Sequence, residues 1–314
     1  MTSPARRPSP SRPSSFASVA RAALPRLLLA LCAAVTLPAA HAQDASSDAS
    51  VDATEPVDSK EPVPLWEIGL VGIAARQAPY PGADKDIGRV RVLPYGLYRG
   101  SFLRVDGGGV GLRALKTPRF EWDASGSAAF GSPSNRVPAR HDMPSIGTLV
   151  EIGPALKINL GDLVSEHRDP RATRLELPVR AVFDVNDGFA RKGWTFEPWL
   201  AHTAWTGRTG ALVLGGGLLF GDRALNHLYY GVDAPYATSD RPAYEAKAGL
   251  VATRVSAGFR QRVAPSVRLV WFASAETVRG AANEASPLVR SRQDFGFGVS
   301  AVWGIWHSAE EGTR

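Results

Sequence analysis

Histidines are the first candidates for chemistry in this chain, because an imidazole beside a hydroxyl group can act as a general base. Only His202 lies on a predicted strand, where Thr203 or a serine of a neighbouring strand could form the pair that some lipid-cleaving barrels carry at one rim. A rim histidine with a single hydrogen bond is the more common arrangement. No two histidines have the spacing of metal ligands. We therefore predict no catalytic, cofactor-binding or metal-binding residue. The histidines beyond residue 42 are His141, His167, His202, His227 and His307.

Three other segments resemble binding motifs but lack essential parts. The glycines of 109–114 and 296–301 match a relaxed dinucleotide fingerprint, yet no crossover helix follows either segment. The segment 184–188 resembles a calcium loop without its spacing or its closing glutamate, which predicts a tight turn. The chain has no Gly-x-Ser-x-Gly motif. The sequence thus favours a protein that is not an enzyme.

The N-terminal 42 residues have the features of an export signal. Basic residues and no acids surround the apolar run 27–37, and the small-x-small pattern of 40–42 predicts cleavage before Gln43. The single cysteine, Cys32, lies inside this signal after a leucine too large for lipoprotein processing. Removing the signal's five basic residues leaves 31 basic and 30 acidic residues. This near-neutral balance, without a basic patch, argues against nucleic-acid binding.

The segment 173–185 alternates strictly between apolar and charged side chains. A period of two indicates a strand whose two faces meet different surroundings. The same alternation recurs along the exported chain in segments of roughly ten residues separated by turns, which is typical of a transmembrane β-barrel. One face carries Leu175, Leu177, Val179, Ala181, Phe183 and Val185, and the other carries Arg174, Glu176, Arg180 and Asp184.

Residues 65–306 are predicted to form an all-β, antiparallel barrel of roughly 10–12 strands. No uncharged stretch of the exported chain reaches the roughly 18 residues of a spanning helix, and 209–221, for example, has only 13. Eleven strands can be counted, whereas such a barrel needs an even number, so one strand has been missed or merged with another. The segment 243–262 is the main suspect, because it is long for a single strand. The predicted strands are 66–75, 88–99, 101–106 with a continuation to 115, 119–130, 147–160, 173–185, 194–205, 209–220, 243–262, 265–278 and 292–306.

The segments around the barrel are predicted as follows. Residues 43–64 are acidic and proline-rich and should form a disordered periplasmic linker, and residues 307–314 form a C-terminal tail. Polar loops at 131–147, 221–242 and 279–291 should lie at the surface. A short helical turn at 224–232 is not favoured. Most of the eight tryptophans fall near strand ends, as an interfacial girdle requires.

Charged residues on the inward face should meet across neighbouring strands. Glu151 and Lys157 on one strand should face Arg174, Glu176 and Arg180 on the next. Their mixed signs predict ion pairs that fill a narrow interior rather than a ring of one charge that selects ions. A barrel of this size lies between side-chain-filled and aqueous barrels. We therefore expect a plugged or barely conducting interior, to which Arg89 and Arg91 also contribute.

Four local motifs, in this order, resemble the MipA/OmpV family of outer-membrane proteins. The proline-flanked tyrosine of the first motif suggests a rigid binding loop or, more simply, a packed turn at the barrel rim. The motifs are Pro79-Tyr80-Pro81-Gly82-Ala83, Leu93-Pro94-Tyr95 with Tyr98-Arg99-Gly100, Tyr229-Tyr230-Gly231-Val232, and Ser286-Pro287-Leu288-Val289.

This resemblance implies a barrel in the Gram-negative outer membrane, in contact with its lipids. It also implies a scaffold for periplasmic murein enzymes, namely a lytic transglycosylase and a penicillin-binding protein, and it implies no cofactor and no catalytic residue. Two alternatives remain open from the residues alone. One is a narrow channel for small solutes, suggested by the charged interior, and the other is a lipid-modifying enzyme centred on His202.

Overall fold

The computed structural model describes most of the predicted barrel. The described residues are 64–99, 103–106, 109–112, 115–117, 119–129, 131–161, 173–207 and 209–312. The predicted export signal, nearly all of the linker at 43–64, His167 and the last two residues of the tail lie outside them. The structure therefore begins at Pro64, close to the predicted start of the barrel.

Fourteen strands form one antiparallel sheet. Successive strands pair with each other along most of the chain, and the first strand also pairs with the last. The strands are β1 (Trp66–Gln77), β2 (Ile87–Arg99), β3 (Leu103–Asp106), β4 (Gly109–Leu112), β5 (Leu115–Lys116), β6 (Phe120–Ala129), β7 (Leu149–Gly161), β8 (Thr173–Asp184), β9 (Ala190–Phe196), β10 (Trp199–Thr206), β11 (Gly210–Gly221), β12 (Gly249–Ala264), β13 (Val267–Thr277) and β14 (Gln293–His307).

The sheet closes on itself as a barrel of twelve strands. Its hydrogen-bonded order runs from β4 through β1 and β14 round to β5. The first and last strands of this order, β4 and β5, are consecutive in the chain, so they are two parts of one barrel strand. Likewise, β9 and β10 both lie between β8 and β11, with a break at Glu197 and Pro198. Proline cannot donate to a ladder, which explains an interruption there.

The predicted all-β barrel of 10–12 strands is confirmed, and the count of eleven is corrected. The suspected segment 243–262 contains a single long strand, β12. The error lay at 101–115, where β3 turns back into β4 after four residues. Strands this short have no clear alternation, so the pattern could not separate them.

The two faces of the barrel have opposite chemistry. Outward side chains are large, apolar and exposed, as in Val90 at 69% and Val255 at 55%. Inward side chains include charged groups that are nearly inaccessible, such as Arg180 at 3% and Glu151 at 8%. This arrangement reverses that of a water-soluble protein and is the arrangement of a transmembrane barrel.

Most tryptophans lie on the outer surface, several of them near strand ends, although Trp271 lies near the middle of β13. Seven of the eight tryptophans are exposed, which fits the predicted girdle. Trp199 is the exception, because it packs inside against Ala201 and Val213 and is 1% exposed. The exposed ones are Trp66, Trp122, Trp194, Trp205, Trp271, Trp303 and Trp306.

The two ends of the barrel differ in the length of their connections. The end that holds both chain termini, here called the termini end, has two very short turns at 207–209 and 265–266, and the eleven-residue connection between β7 and β8 also begins and ends there. The opposite end, here called the loop end, carries the long connections 78–86, 130–148, 222–248 and 278–292. None of the helices in the described part of the chain has the length and apolarity to span a membrane.

A short helix, α1 (Arg223–Tyr230), lies in the loop 222–248. The side chain of Asp222 caps it by accepting a hydrogen bond from the Leu225 backbone N–H at 2.9 Å. Eight residues are too few for a stable isolated helix. The helix forms because Leu225, Tyr229 and Tyr230 pack against the barrel. These contacts come from the tertiary structure, so the local sequence did not predict the helix.

Substituting an outward residue tests whether lipid surrounds the barrel. Val255 lies in the middle of β12, and Val255→Arg should lower the free energy of unfolding by about 2–4 kcal/mol in phospholipid vesicles, because hydrocarbon solvates the guanidinium poorly. Urea unfolding followed by tryptophan fluorescence measures this loss. Phe189→Arg is the control, since Phe189 is 62% exposed at the tip of the β8–β9 turn. Equally small losses for both variants would contradict the lipid-facing assignment.

Candidate functional site

The loop end is closed by a packed apolar cluster, here called the cap. The cap joins side chains from the loops to side chains of the barrel wall, so the loops fold over the barrel mouth. The predicted surface position of these loops is therefore wrong for their apolar residues. Its buried members are Tyr80, Ala83, Ile87, Val137, Ile146, Leu149, Val182, Leu219, Leu225, Tyr229, Tyr230, Ala246, Val251, Ala252 and Val278, joined by a second group of Ala139, Met143, Val232 and Leu288.

Three of the four sequence motifs meet inside the cap. The Tyr80 hydroxyl donates to the Leu288 carbonyl at 2.8 Å, and the Tyr230 hydroxyl donates to the Pro81 carbonyl at 3.0 Å. The Tyr80 and Tyr230 rings pack edge to face, with centroids 6.3 Å apart. Ser286 Oγ donates to the Tyr230 carbonyl at 2.7 Å. Each motif therefore supplies a partner for another, and Tyr80 is a packed rim residue rather than an exposed binding tip.

Gly82 occupies a backbone position that requires glycine. Its φ is +91°, in the left-handed region. Its N–H donates to Asp294 Oδ2 at 2.7 Å, and its carbonyl accepts from the N–H groups of Arg290 and Ser291. This turn thereby joins the first loop to the start of β14.

Arg140 is buried in the cap and binds main-chain carbonyls instead of a carboxylate. Its Nη1 donates to the carbonyls of Leu228 and Tyr229, both at 3.1 Å, and its Nη2 donates to that of Pro144 at 3.2 Å. The guanidinium also lies 5.9 Å from the centre of the Tyr80 ring. It therefore connects three loops at once.

Arg241 serves the same purpose in the outer part of the cap. Its Nη1 donates to the carbonyls of Ala139 and His141 at 3.1 and 2.8 Å, and its Nε and Nη2 donate to that of Tyr236. Neither arginine was predicted to be a functional residue, because no local pattern distinguishes the two from other polar loop residues. Their partners are decided only by how distant loops fold together.

Burial keeps the tyrosines of the cap neutral. It raises the pKa of Tyr80 to about 12, and it raises the pKa of Tyr229 and Tyr230 above the usual range. Burial also lowers the pKa of Arg140. A neutral phenol donates a hydrogen bond, whereas a phenolate cannot. The hydroxyl groups that join the loops therefore remain donors throughout the physiological pH range.

Ion pairs occupy the interior below the cap. Arg180 lies 3.5 Å from Glu151 and 3.1 Å from Glu197, and Thr195 Oγ1 donates to Glu151 at 3.1 Å. Arg254 continues the network to Glu197 at 3.1 Å and to Glu276 at 2.8 Å. The predicted pairing of Arg180 with Glu151 is present in the structure. Charges of both signs are matched here, as buried charges require.

The other predicted inward charges have mixed outcomes. Arg174 pairs with Glu176 of its own strand at 2.6 Å, while Lys157 lies opposite Glu176 in the ladder. Arg89 donates to Ser132 Oγ at 2.9 Å, so it connects the wall to a loop. Glu197 was not among the predicted inward charges, although the Glu197–Pro198 pair is a visible break in the alternation.

The motif 93–95 lies apart from the cap, toward the termini end. The Tyr95 hydroxyl donates to Glu67 Oε1 at 2.5 Å, and Arg268 forms an ion pair with the same carboxylate. Glu67 is 5% exposed. This arrangement holds β1, β2 and β13 together inside the barrel.

The residues with catalytic potential are scattered. His202 Nδ1 lies 2.9 Å from Thr173 Oγ1, which is the single hydrogen bond of a rim histidine. His141 and His227 each contact an aspartate in separate parts of the loops. Asp184–Gly188 forms the predicted tight turn, in which Asp184 accepts from the Asn186 N–H. Within the described ranges, no three His, Cys, Asp or Glu side chains are grouped to hold a metal.

Comparison with known proteins gives one family match. The family described as MltA-interacting protein MipA matches residues 68–305, which cover the whole barrel from β1 to β14. No curated protein matches the sequence significantly.

The solved structures that match this chain are distant from it. The outer membrane channel COG4313 from Pseudomonas putida F1 is 13% identical, with a TM-score of 0.32, over 80% of this chain and 99% of that chain. The CymD monoaromatic hydrocarbon channel is 12% identical, with a TM-score of 0.34, over 79% and 90%. The toluene transporter TodX from Pseudomonas putida is 9% identical, with a TM-score of 0.30, over 76% and 89%.

Removing the Arg140 side-chain charge tests how the cap is held. Arg140→Met leaves the carbonyls of Leu228, Tyr229 and Pro144 without this donor, at a cost of about 1–3 kcal/mol for each group left buried and unsatisfied. We expect faster proteolysis within 131–147 and 222–248. The unheated barrel should still migrate as a folded protein in gel electrophoresis, which would show that the strands remain intact. Arg136→Met is the matched control, because Arg136 is exposed in the same loop. Unchanged proteolysis of Arg140→Met would show that the arginine does not hold the cap.

Proposed function

Because the chain belongs to the MipA family, described as MltA-interacting protein, we propose that it is an outer-membrane barrel that anchors a murein-degrading enzyme. The family match over residues 68–305 is the observation that carries this proposal. The proposed partner is a lytic murein transglycosylase in the periplasm. A murein synthase of the penicillin-binding type is the proposed second partner, which would place degradation and synthesis of the wall at one position.

The architecture of the barrel supports one of its ends as the proposed docking end. Outer-membrane barrels place short turns in the periplasm and longer loops outside the cell. The cap then faces outward, and the termini end faces the murein. At that end Pro64 forms a bridge with Glu311, and the Leu65 N–H donates to the Glu310 carbonyl at 2.8 Å. Pro64, the first described residue, therefore lies at the proposed periplasmic rim.

The filled interior favours anchoring over transport. The cap covers the mouth with side chains that are almost inaccessible, including Val137, Leu225 and Leu288 at 0%. The ion pairs around Arg180 occupy the space beneath it. A channel for solutes needs a continuous path lined by side chains that release what they bind. The described loops and ion pairs support the scaffold proposal more than the channel alternative. For the lipid-modifying alternative, the hydroxyl group beside His202 belongs to Thr173 and not to the serine of a neighbouring strand that this alternative expected.

Position-specific photo-crosslinking in living cells tests the proposed docking end. A photoreactive residue at Ser266 or Glu310, both exposed at the termini end, should capture the transglycosylase. The same residue at Lys85 or Asp240, both exposed at the loop end, is the matched control and should capture none. Capture only from the loop end would show that the loop end, not the termini end, faces the periplasm. Failure of all four positions to capture a murein enzyme would refute the anchoring role.

Electrical recording tests the alternative directly. The purified barrel, inserted in planar lipid bilayers, should show no sustained single-channel current, because the cap and ion pairs obstruct the lumen. A known porin purified in the same detergent serves as the control for insertion. Sustained current through the wild-type barrel that increases in Arg140→Met would instead support the channel.

A further inference from the structure

The outer wall of the barrel carries a groove across β11–β14, β1 and β2. Its volume is about 750 Å³, which is the size of a small-molecule site. Its lining includes the small side chains of Ala74, Ala257 and Ala273, here called its floor, and the larger side chains of Val90, Trp271 and Phe297. Nothing in the scaffold proposal uses this groove.

Strand register places the groove on the outward face. In the ladder, Ala74 lies opposite Val90 and Val299, and Val299 lies opposite Trp271. Residues directly opposite each other point to the same side of a sheet. Val90 is 69% exposed and Trp271 is 50% exposed, so this row points away from the lumen. The groove therefore opens into the surrounding lipid.

A cationic side chain lies at the loop-side end of the groove. Arg76 is the penultimate residue of β1, lines the groove and has a side chain that is 60% exposed. Its Nε contacts Asp86 Oδ2 at 3.2 Å. That contact orients the guanidinium through Nε, and the terminal amino groups carry its remaining donors. The groove thus combines an apolar body with an end near the membrane surface that carries the Arg76–Asp86 ion pair.

We infer that this groove binds lipopolysaccharide, with an acyl chain along the alanines and a phosphate on Arg76. An arginine fork matches the geometry of a phosphate, and the apolar floor suits a hydrocarbon chain. The choice of lipid rests on the outer-membrane placement proposed above, since the loop end then lies in the outer leaflet, where lipopolysaccharide is the phosphorylated lipid.

The two parts of the site contribute unequally. A hydrocarbon chain gains little by moving from bilayer to groove, because lipid tails are as apolar as the groove itself, so only packing favours the transfer. The phosphate contact is a charge-assisted bond and contributes more. Removing the charge should therefore weaken binding more than filling the floor.

Lipid analysis of the purified barrel tests this inference. The wild type, extracted from outer membranes in mild detergent, should retain lipopolysaccharide, measured per mole of protein by mass spectrometry. Arg76→Gln should lower the affinity for added lipopolysaccharide about tenfold. The double variant Ala257→Leu with Ala273→Leu should reduce it less, by filling the floor. Because Ala273 is exposed and Ala257 lies on the same outward face, both variants should fold.

Matched controls separate the site from general effects. Arg191→Gln removes an exposed cation at the same end but on a different part of the wall, and Ala301→Leu enlarges an exposed outward alanine outside the groove. Both should retain wild-type binding. Equal binding by all variants, retention of glycerophospholipid instead, or a second copy of the chain crosslinked at Ala273 would each overturn the inference. The readout uses no murein enzyme, so its failure is distinct from failure of the scaffold proposal.

Discussion

The main constraint on this molecule is that a sheet in hydrocarbon cannot leave its backbone polar groups unpaired. β1 therefore pairs with β14, and the ladder continues round until β4 and β5 meet as parts of one strand. Closure creates an interior that lipid does not reach, and polar side chains can lie there. The outward positions are left to residues such as Val90 and Val255. The opposite chemistry of the two faces follows directly from closure.

Charge in the interior is tolerable only because it is matched. Arg180 lies between Glu151 and Glu197, and Arg254 extends the same network to Glu276. Pairs of this kind cost desolvation, so they are weak evidence for stability, and losing one partner is more harmful than never having the pair. Their clearer consequence is that they occupy space. A barrel of this size with a paired and crowded interior is suited to holding a position in the membrane.

The cap also buries polar groups, but it satisfies them with side-chain hydrogen-bond donors instead of ion pairs. Long loops that fold inward bury many carbonyl groups, and each needs a donor. Arg140 and Arg241 provide several donors from single side chains, while Tyr80 and Tyr230 provide hydroxyl groups that remain protonated. The result is one sealed end and one end that includes the short turns 207–209 and 265–266. This difference between the ends gives the anchoring proposal its direction.

The sequence by itself determined the elements whose causes are local. Alternation along 173–185 predicted a strand with two environments, and the spacing of charges on β7 and β8 predicted the pairing of Arg180 with Glu151. Strand and turn signals of this kind depend on neighbouring residues, which a single sequence displays in full. The four motifs likewise indicated a family that the match over 68–305 confirms.

Only the tertiary structure decided what depends on distant segments meeting. The Tyr80 hydroxyl and the Leu288 carbonyl are 208 residues apart in the chain, and no local pattern joins them. Helix α1, the roles of Arg140 and Arg241, and the groove across six strands arise in the same way, since each needs surfaces from several loops or strands. Closing the sheet brings these segments together. Their contacts then contribute free energy that secondary-structure propensity and hydrophobic periodicity do not predict.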